Sequence, residues 1–478
     1  MRGQLFHRSG LPCGGTGFRA RLLASSALSG GVVRGLVLAA GVAAGLGGGY
    51  ASAADYAAGG GIIGAPSGNQ TVVGDQAFTI GTNATAYGSF STANGSNATA
   101  TGYGAFANGT NATATGQASN ATGISATALG ASSTANGDFA TATGQNSLAN
   151  GTGATATGHS ANATGDNATA TGYLSVANGS VATATGFNAT ATGQFATATG
   201  GASTANGFAA TATGVSSTAN GRFATAVGSA STANGATASA FGNSSNATGA
   251  NATAMGVLTN AIGANATATG EGSTANGSNA TATGAQSIAN GATASAFGQG
   301  SNATGDAATA IGQGSTASAT GATAFGAGAQ ALALNSVAIG SGSVATLANT
   351  VSFGTPGNER RLTNVAAGVN PTDAVNMSQL TGLTSGVQSQ LASLQSQVGD
   401  LDGRVRNVGA LGAALAGLHP NPRSKGDNNI AGAVGVYRGQ PAVAVGYFRH
   451  LGDQVMVSVG GSTTGNEWSA NTGVTFSW

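Results

Sequence analysis

Charge is scarce in this 478-residue chain, with 14 Lys and Arg against 13 Asp and Glu and a net of +1. No basic excess exists to follow a phosphate backbone, so nucleic acid is not an expected partner. Through the long central region the carboxylates Asp75, Asp138, Asp166, Glu271 and Asp306 stand singly. Glycoside cleavage and most acid–base chemistry need carboxylates in pairs, which argues against a polysaccharide-cleaving enzyme. His159 is equally isolated, so neither a triad nor a metal cluster is visible. The chain therefore reads as a non-enzyme without cofactor or metal.

Cysteine is almost missing. Cys13 is the single example, and it lies in a segment expected to be removed. The mature chain is then without disulfides and thiolate metal sites. Long apolar runs are lacking too. The longest, Leu36–Leu46, is too short and too rich in glycine to be retained as a membrane-spanning helix. It follows Arg2, Arg8, Arg19, Arg21 and Arg34 and precedes Ala51-Ser52-Ala53. That order is a secretory signal over 1–53 with a long basic front part. The protein is expected to be exported.

Glycine, by contrast, is abundant and periodic. It recurs every 14 residues from Gly74 through Gly88 and Gly102 to Gly354. A second series, seven residues out of phase, runs from Gly81 to Gly305 and breaks at Ala319. Low charge with high glycine often means disorder. A disordered linker has no reason to keep a period, so a stack of identical backbone turns is the expectation. The second and fourth residues before each in-register glycine are nearly always alanine, as at Ala98 and Ala100. The first and third are threonine or larger and apolar, as at Thr225 and Val227. Alternation with period two is the strand signature, and pairs such as Asn136-Gly137 mark turns. Each unit is expected to hold two short strands and two tight turns. Stacked about 4.8 Å apart, twenty such units make a rod of roughly 100 Å.

An interior of threonine and alanine would bury little apolar surface per ordered residue. The rod is therefore expected to pack against copies of itself, and an alanine face would allow that close approach. Asn-Ala-Thr at Asn83, Asn97, Asn111, Asn167, Asn251 and Asn265 matches the glycosylation acceptor pattern. The repeat alone accounts for it, with asparagine suiting the turn and threonine the strand.

Beyond Gly354 the pattern changes. Leu380, Leu383, Val387, Leu391, Leu394, Val398, Leu401, Val405 and Val408 recur at three- and four-residue spacing, which predicts a short coiled coil. Residues 409–418 are small and apolar, suited to a helix threaded through a narrow space. Four alternating segments follow, near 430–438, 441–451, 454–462 and 468–478. In the last, Trp468, Ala470, Thr472, Val474, Phe476 and Trp478 share one face. Strands of this length with an apolar outer face predict a membrane β-barrel. Four strands cannot close one, and open edges are not tolerated in lipid. Three chains would supply twelve strands around three helices, so a homotrimer is expected.

The order of parts resembles a trimeric autotransporter adhesin of the YadA-like family. The most specific matches are the repeat Asn335-Ser336-Val337-Ala338-Ile339-Gly340, the neck Arg361-Leu362-Thr363-Asn364-Val365-Ala366 with Asp373-Ala374-Val375-Asn376, and the end Val474-Thr475-Phe476-Ser477-Trp478. The resemblance implies an all-β solenoid head of left-handed parallel β-rolls, a short trimeric coiled coil and a 12-stranded trimeric transmembrane barrel. The expected division is signal 1–53, head 54–357, neck 358–379, stalk 380–408 and anchor with pore helix 409–478. It further implies an outer-membrane anchor, a head on the cell surface, and outer-membrane lipid and barrel-assembly machinery as partners. Family heads bind extracellular matrix, host cells or one another. Residues 335–343, closed by Ser343, match the family's collagen-associated repeat, whereas other coils carry Asn-Ala-Thr-Ala-Thr-Gly. Trp468, Val474, Phe476 and Trp478 are the expected membrane-facing signal.

The leading reading is a surface adhesin acting through avidity rather than a deep pocket. The alternative is an ice- or mineral-binding repeat protein on the cell surface, using regular Thr-x-Thr pairs. Which way threonine points separates them: if Thr155, Thr157, Thr169 and Thr171 face inward, the alternative fails.

Overall fold

The computed structural model describes residues 55–64, 68–423 and 427–478. The predicted signal segment lies outside the described residues. The chain divides into two compact units, Met1–Ala292 and Thr293–Trp478. The described part of the first is solenoid throughout. The second holds further coils, a connecting neck, one helix and a four-stranded sheet.

The coil running from Gly130 to Thr143 shows the rule. It contains a two-residue strand, Thr134–Ala135, and a three-residue strand, Thr141–Thr143. Each pairs in parallel with the residue 14 places on, as in Thr134 with Leu148 and Thr127 with Thr141. The expected parallel β-solenoid with two strands and two corners per unit is therefore present.

The two glycine series serve different ends. Gly130 has φ +133°, a conformation that disfavours any side chain. Gly137 is required by proximity, since a Cβ there would stand 2.0 Å from the Gly151 carbonyl oxygen.

The interior departs from expectation. Ser133, Ala135, Ala140 and Ala142 are all fully buried within the chain's own coil. The roll is so thin that opposing strands leave room for little more than a methyl or hydroxymethyl group. Ser133 satisfies its hydroxyl by donating to the Gly130 carbonyl at 2.9 Å. Threonine is excluded from nearly all these sites and points outward: Thr141 and Thr143 are half-buried. The alanine columns thus line the core of one roll and are not a face for packing against sister rods. The physical reason is volume, because alanine inside and threonine outside is the only assignment the narrow section accepts.

In the second unit, the helix Met377–Ala416 joins the predicted coiled coil and the small-residue segment into one element. It begins three residues before the expected stalk boundary. Asn376 caps it and forms a reciprocal capping box with Gln379. The strands Asn428–Tyr437, Gln440–His450, Val455–Thr463 and Trp468–Phe476 form an antiparallel meander in sequence order. All four predicted segments are present, with ends shifted by at most two residues.

Candidate adhesive surface and membrane anchor

Asp402 pairs with Arg406 at 3.3 Å and stands 4.0 Å from Arg438, and among the described residues no group of His, Cys, Asp and Glu could hold a metal ion. What the solenoid offers is repetition on its two corners. Each corner contributes two side chains per coil, and the second stands in the left-handed region. Asparagine suits that conformation. At one corner Asn83 donates to Asn97 at 3.2 Å and Asn97 to Asn111 at 3.1 Å, a ladder along the rod. Asn251 and Asn265 continue the same device at 3.0 Å. These ladders account for asparagine at five of the six acceptor-like motifs named above, all but Asn167.

Several coils break the pattern. Phe139, Val181, Phe195 and Phe223 occupy the same left-handed position with φ of 58–60°. A bulky or β-branched residue there costs roughly 1–2 kcal/mol. All four are exposed, Phe139 at 65%. Such strain on an exposed edge is a pointer to function. Phe208 packs edge-on between Phe195 and Phe223, with centroids 5.6 and 5.4 Å away. The Arg222 guanidinium lies 4.8 Å from the Phe223 ring centre and 5.4 Å from that of Phe208. Arg222 is the one Lys or Arg between residues 54 and 357. On the opposite corner His159, Tyr173 and Phe187 stack face to face, 5.1 and 5.5 Å apart. Sequence reasoning missed both clusters. Aligning the chain in rows of 14 would have revealed them, because each member recurs in or beside one column.

The predicted matrix-binding repeat is placed mostly as architecture. Ser336, Ala338 and Ser343 are interior. Ser343 donates to the Ile339 carbonyl at 2.6 Å and accepts from Arg360 at 2.8 Å. Arg360 also donates to the Phe353 carbonyl at 3.0 Å and so ties the neck to the last coils. Asn335 is exposed, Val337 and Ile339 are half-buried and outward, and Gly340 is a turn residue. Thr155, Thr169 and Thr171 are half-buried on the outside and Thr157 is exposed. Their outward orientation is the one the ice-binding alternative required.

In the neck, Asp373 accepts from the backbone N–H groups of Val369 and Asn370, both at 2.9 Å. These bonds, that from Asn370 foremost, hold its carboxyl below the usual range. Glu359 is lowered likewise by the Gly357 N–H. Along the helix the heptad residues are exposed in the single chain, from Val405 at 48% to Leu383 at 68%. That stripe is unpartnered within one chain.

The C-terminal end of the helix is different. Ala410, Leu411 and Ala414 pack on Ala442 and Ala444 of the sheet, with Leu415 and Leu418 alongside. A Cβ on Gly435 would fall 2.2 Å from the Ala414 nitrogen, so glycine permits the contact. The other face of the sheet carries Ile430, Val434, Val445, Trp468, Val474 and Phe476, all exposed, and Trp478 beyond the last strand is exposed as well. Of the four predicted anchor residues, Trp468, Val474 and Phe476 lie on this outward face and Trp478 is exposed beyond it. The first and last strands remain unpaired edges in the single chain. No helix among the described residues is long and apolar enough to cross a membrane, which leaves spanning by strands untouched.

Comparison with known proteins agrees with this order of parts. The family model for the YadA head domain repeat matches repeatedly between residues 73 and 355. That for the coiled stalk of trimeric autotransporter adhesin matches 361–403, and that for the YadA-like membrane anchor domain matches 420–478. Among solved structures, the collagen-binding domain of the Yersinia adhesin YadA is 25% identical over 47% of this chain and 86% of its own, at a TM-score of 0.20.

Proposed function

The chain belongs to the YadA-like trimeric autotransporter adhesins, and from that premise we propose that its head attaches the cell to host matrix, to host cells or to sister cells. The family is one of adhesins, not enzymes, and it works as a homotrimer. Its anchor fixes the chain in the outer membrane and leaves the head on the cell surface. Four strands per chain are one third of a trimeric barrel, and the small-residue end of the helix lies against their inner face. Barrel-assembly machinery and outer-membrane lipid are the partners such a barrel requires.

The observation that carries the adhesive reading is the exposed, backbone-strained aromatic corner around Phe139, Phe195 and Phe223. Aromatic and arginine side chains concentrate binding energy at interfaces. Of the matrix-binding candidate at 335–343, the exposed corner side chains Asn335 and Ser341 are within a ligand's reach, while Ser343 positions the neck. The division into head 54–357, neck 358–379, stalk 380–408 and anchor 409–478 belongs to the same proposal. The test displays the full chain on cells lacking other adhesins. Adhesion to immobilised matrix proteins and cell settling are then measured. Cells that display the head yet neither bind nor settle would refute the reading.

The outward threonines favour a second reading, binding of ice or mineral. The same strand face, however, carries Phe297, Ile311, Phe325 and Ile339 and is the flat surface available to sister chains. Burying it in a trimer would consume the threonines. Thermal hysteresis by the intact trimer would restore this alternative.

A further inference from the structure

We propose that the corner between Asp138 and Phe223 docks antiparallel onto the same corner of a second copy of this chain, joining heads on facing cells. The inference rests on the adhesive reading above and names one of its partners.

Seven successive coils contribute a pair of side chains each to this corner, spanning six steps or about 29 Å. A twofold axis through the Ser180-Val181 coil, across the rod, reverses their order. The first residue of each corner pair then faces a first residue, and the second a second. Under that operation Arg222 meets Asp138, and the strained, exposed rings of Phe223 and Phe139 meet each other. The ion pair and the ring pair both occur twice, as an isologous contact demands. One coil further in, Phe208 comes opposite Thr152 and Gly153, the pair with least bulk at this corner. Next, Gln194 faces Asp166. At the centre, Val181 faces its own copy.

Register and charge are mutually selective. Sliding the partner by two coils would still pair Arg222 with Asp166. It would set Phe223 against Asn167 and leave Asp138 against Ala250. A parallel arrangement would set Asp138 level with Asp138 and Arg222 level with Arg222, with no opposite charge at either coil. Both charges are available. Among the described residues Arg222 forms no ion pair and lies over exposed rings. Asp138 accepts one backbone bond, from the Ile124 N–H at 2.8 Å, and is otherwise exposed. Chains anchored in two facing membranes approach one another from opposite sides, and the twofold supplies a contact of that antiparallel sense.

The experiment uses cells displaying the full chain, in two fluorescent colours, with display checked by surface staining. Arg222→Asp cells and Asp138→Arg cells are each expected to settle at least about tenfold less than the parent, since like charges then oppose each other twice. Mixed together they are expected to co-aggregate in alternating colours, because both ion pairs re-form, one in the native sense and one with its sign reversed. Val181→Lys and Val181→Asp cells repeat the logic at the twofold, and aspartate tolerates the left-handed backbone there. Single losses without rescue on mixing would overturn the proposal, and would point to a contact within one trimer or to a different partner. Unchanged settling in every variant would also overturn it. Parent cells that bind matrix but do not settle would refute this contact and leave adhesion standing. Parent cells that do neither would refute adhesion itself.

Discussion

Replacing Ala142 by leucine tests the orientation on which the whole head depends. Ala142 is fully buried, hemmed between Ala128 and Ala156 in the strands on either side. Leucine adds three carbons to an interior that elsewhere admits little beyond alanine and serine. Overpacking of a filled core costs about 1–3 kcal/mol, and more where the backbone cannot shift. Here it is pinned on both sides by ladder bonds, so the upper end applies. Three chains then place the loss in each trimer at roughly 9 kcal/mol. Coils contact only their neighbours, so the damage should stay local. Hydrogen exchange on the intact trimer should show lost protection from about Thr127 to Thr157, with distant coils unchanged. Thr141→Leu, one residue away on the outside, is the control and should leave exchange inside the roll within error. If Ala142→Leu is silent while Thr141→Leu opens the coil, alanine faces outward and the reasoning fails.

The remaining predictions concern the neck, stalk and anchor. Asp373 has a lowered carboxyl pKa in the folded neck, so its contribution is present above the unfolded value and lost as pH falls through the folded one. Acidification below about pH 4 should therefore lower the protection factors of the Val369 and Asn370 amides, and Asp373→Asn should abolish that change. Gly435→Ala puts a methyl 2.2 Å from the Ala414 nitrogen and should sharply reduce folded trimer in the membrane, read as the heat-resistant band on a gel. Leu391→Asp places a charge on the exposed heptad stripe. If that stripe is the trimer seam, chemical cross-linking through the stalk should fall several-fold, since a buried unpaired carboxylate is costly there.

Much of this architecture could be read from one dimension. Period-14 glycine, period-two alternation and a heptad stripe each report a backbone geometry, because strand, turn and helix impose their spacing locally. The four terminal strands were legible for the same reason, down to the outward set Trp468, Val474 and Phe476. Local spacing says which residues share a face but not which face is inside. Alanine and threonine alternate identically whichever points inward, and only the thinness of the folded roll assigned alanine to the core. Nor does spacing join residues 14 or more places apart into a surface. The aromatic sandwich around Arg222 and the grip of Arg360 on Ser343 exist because successive coils and the neck are stacked in space. The sequence by itself determined the repeat, the seam and the strands through short-range sterics and periodicity. The tertiary structure alone decided orientation and neighbours, because those depend on the volume left between strands and on which coils lie against one another.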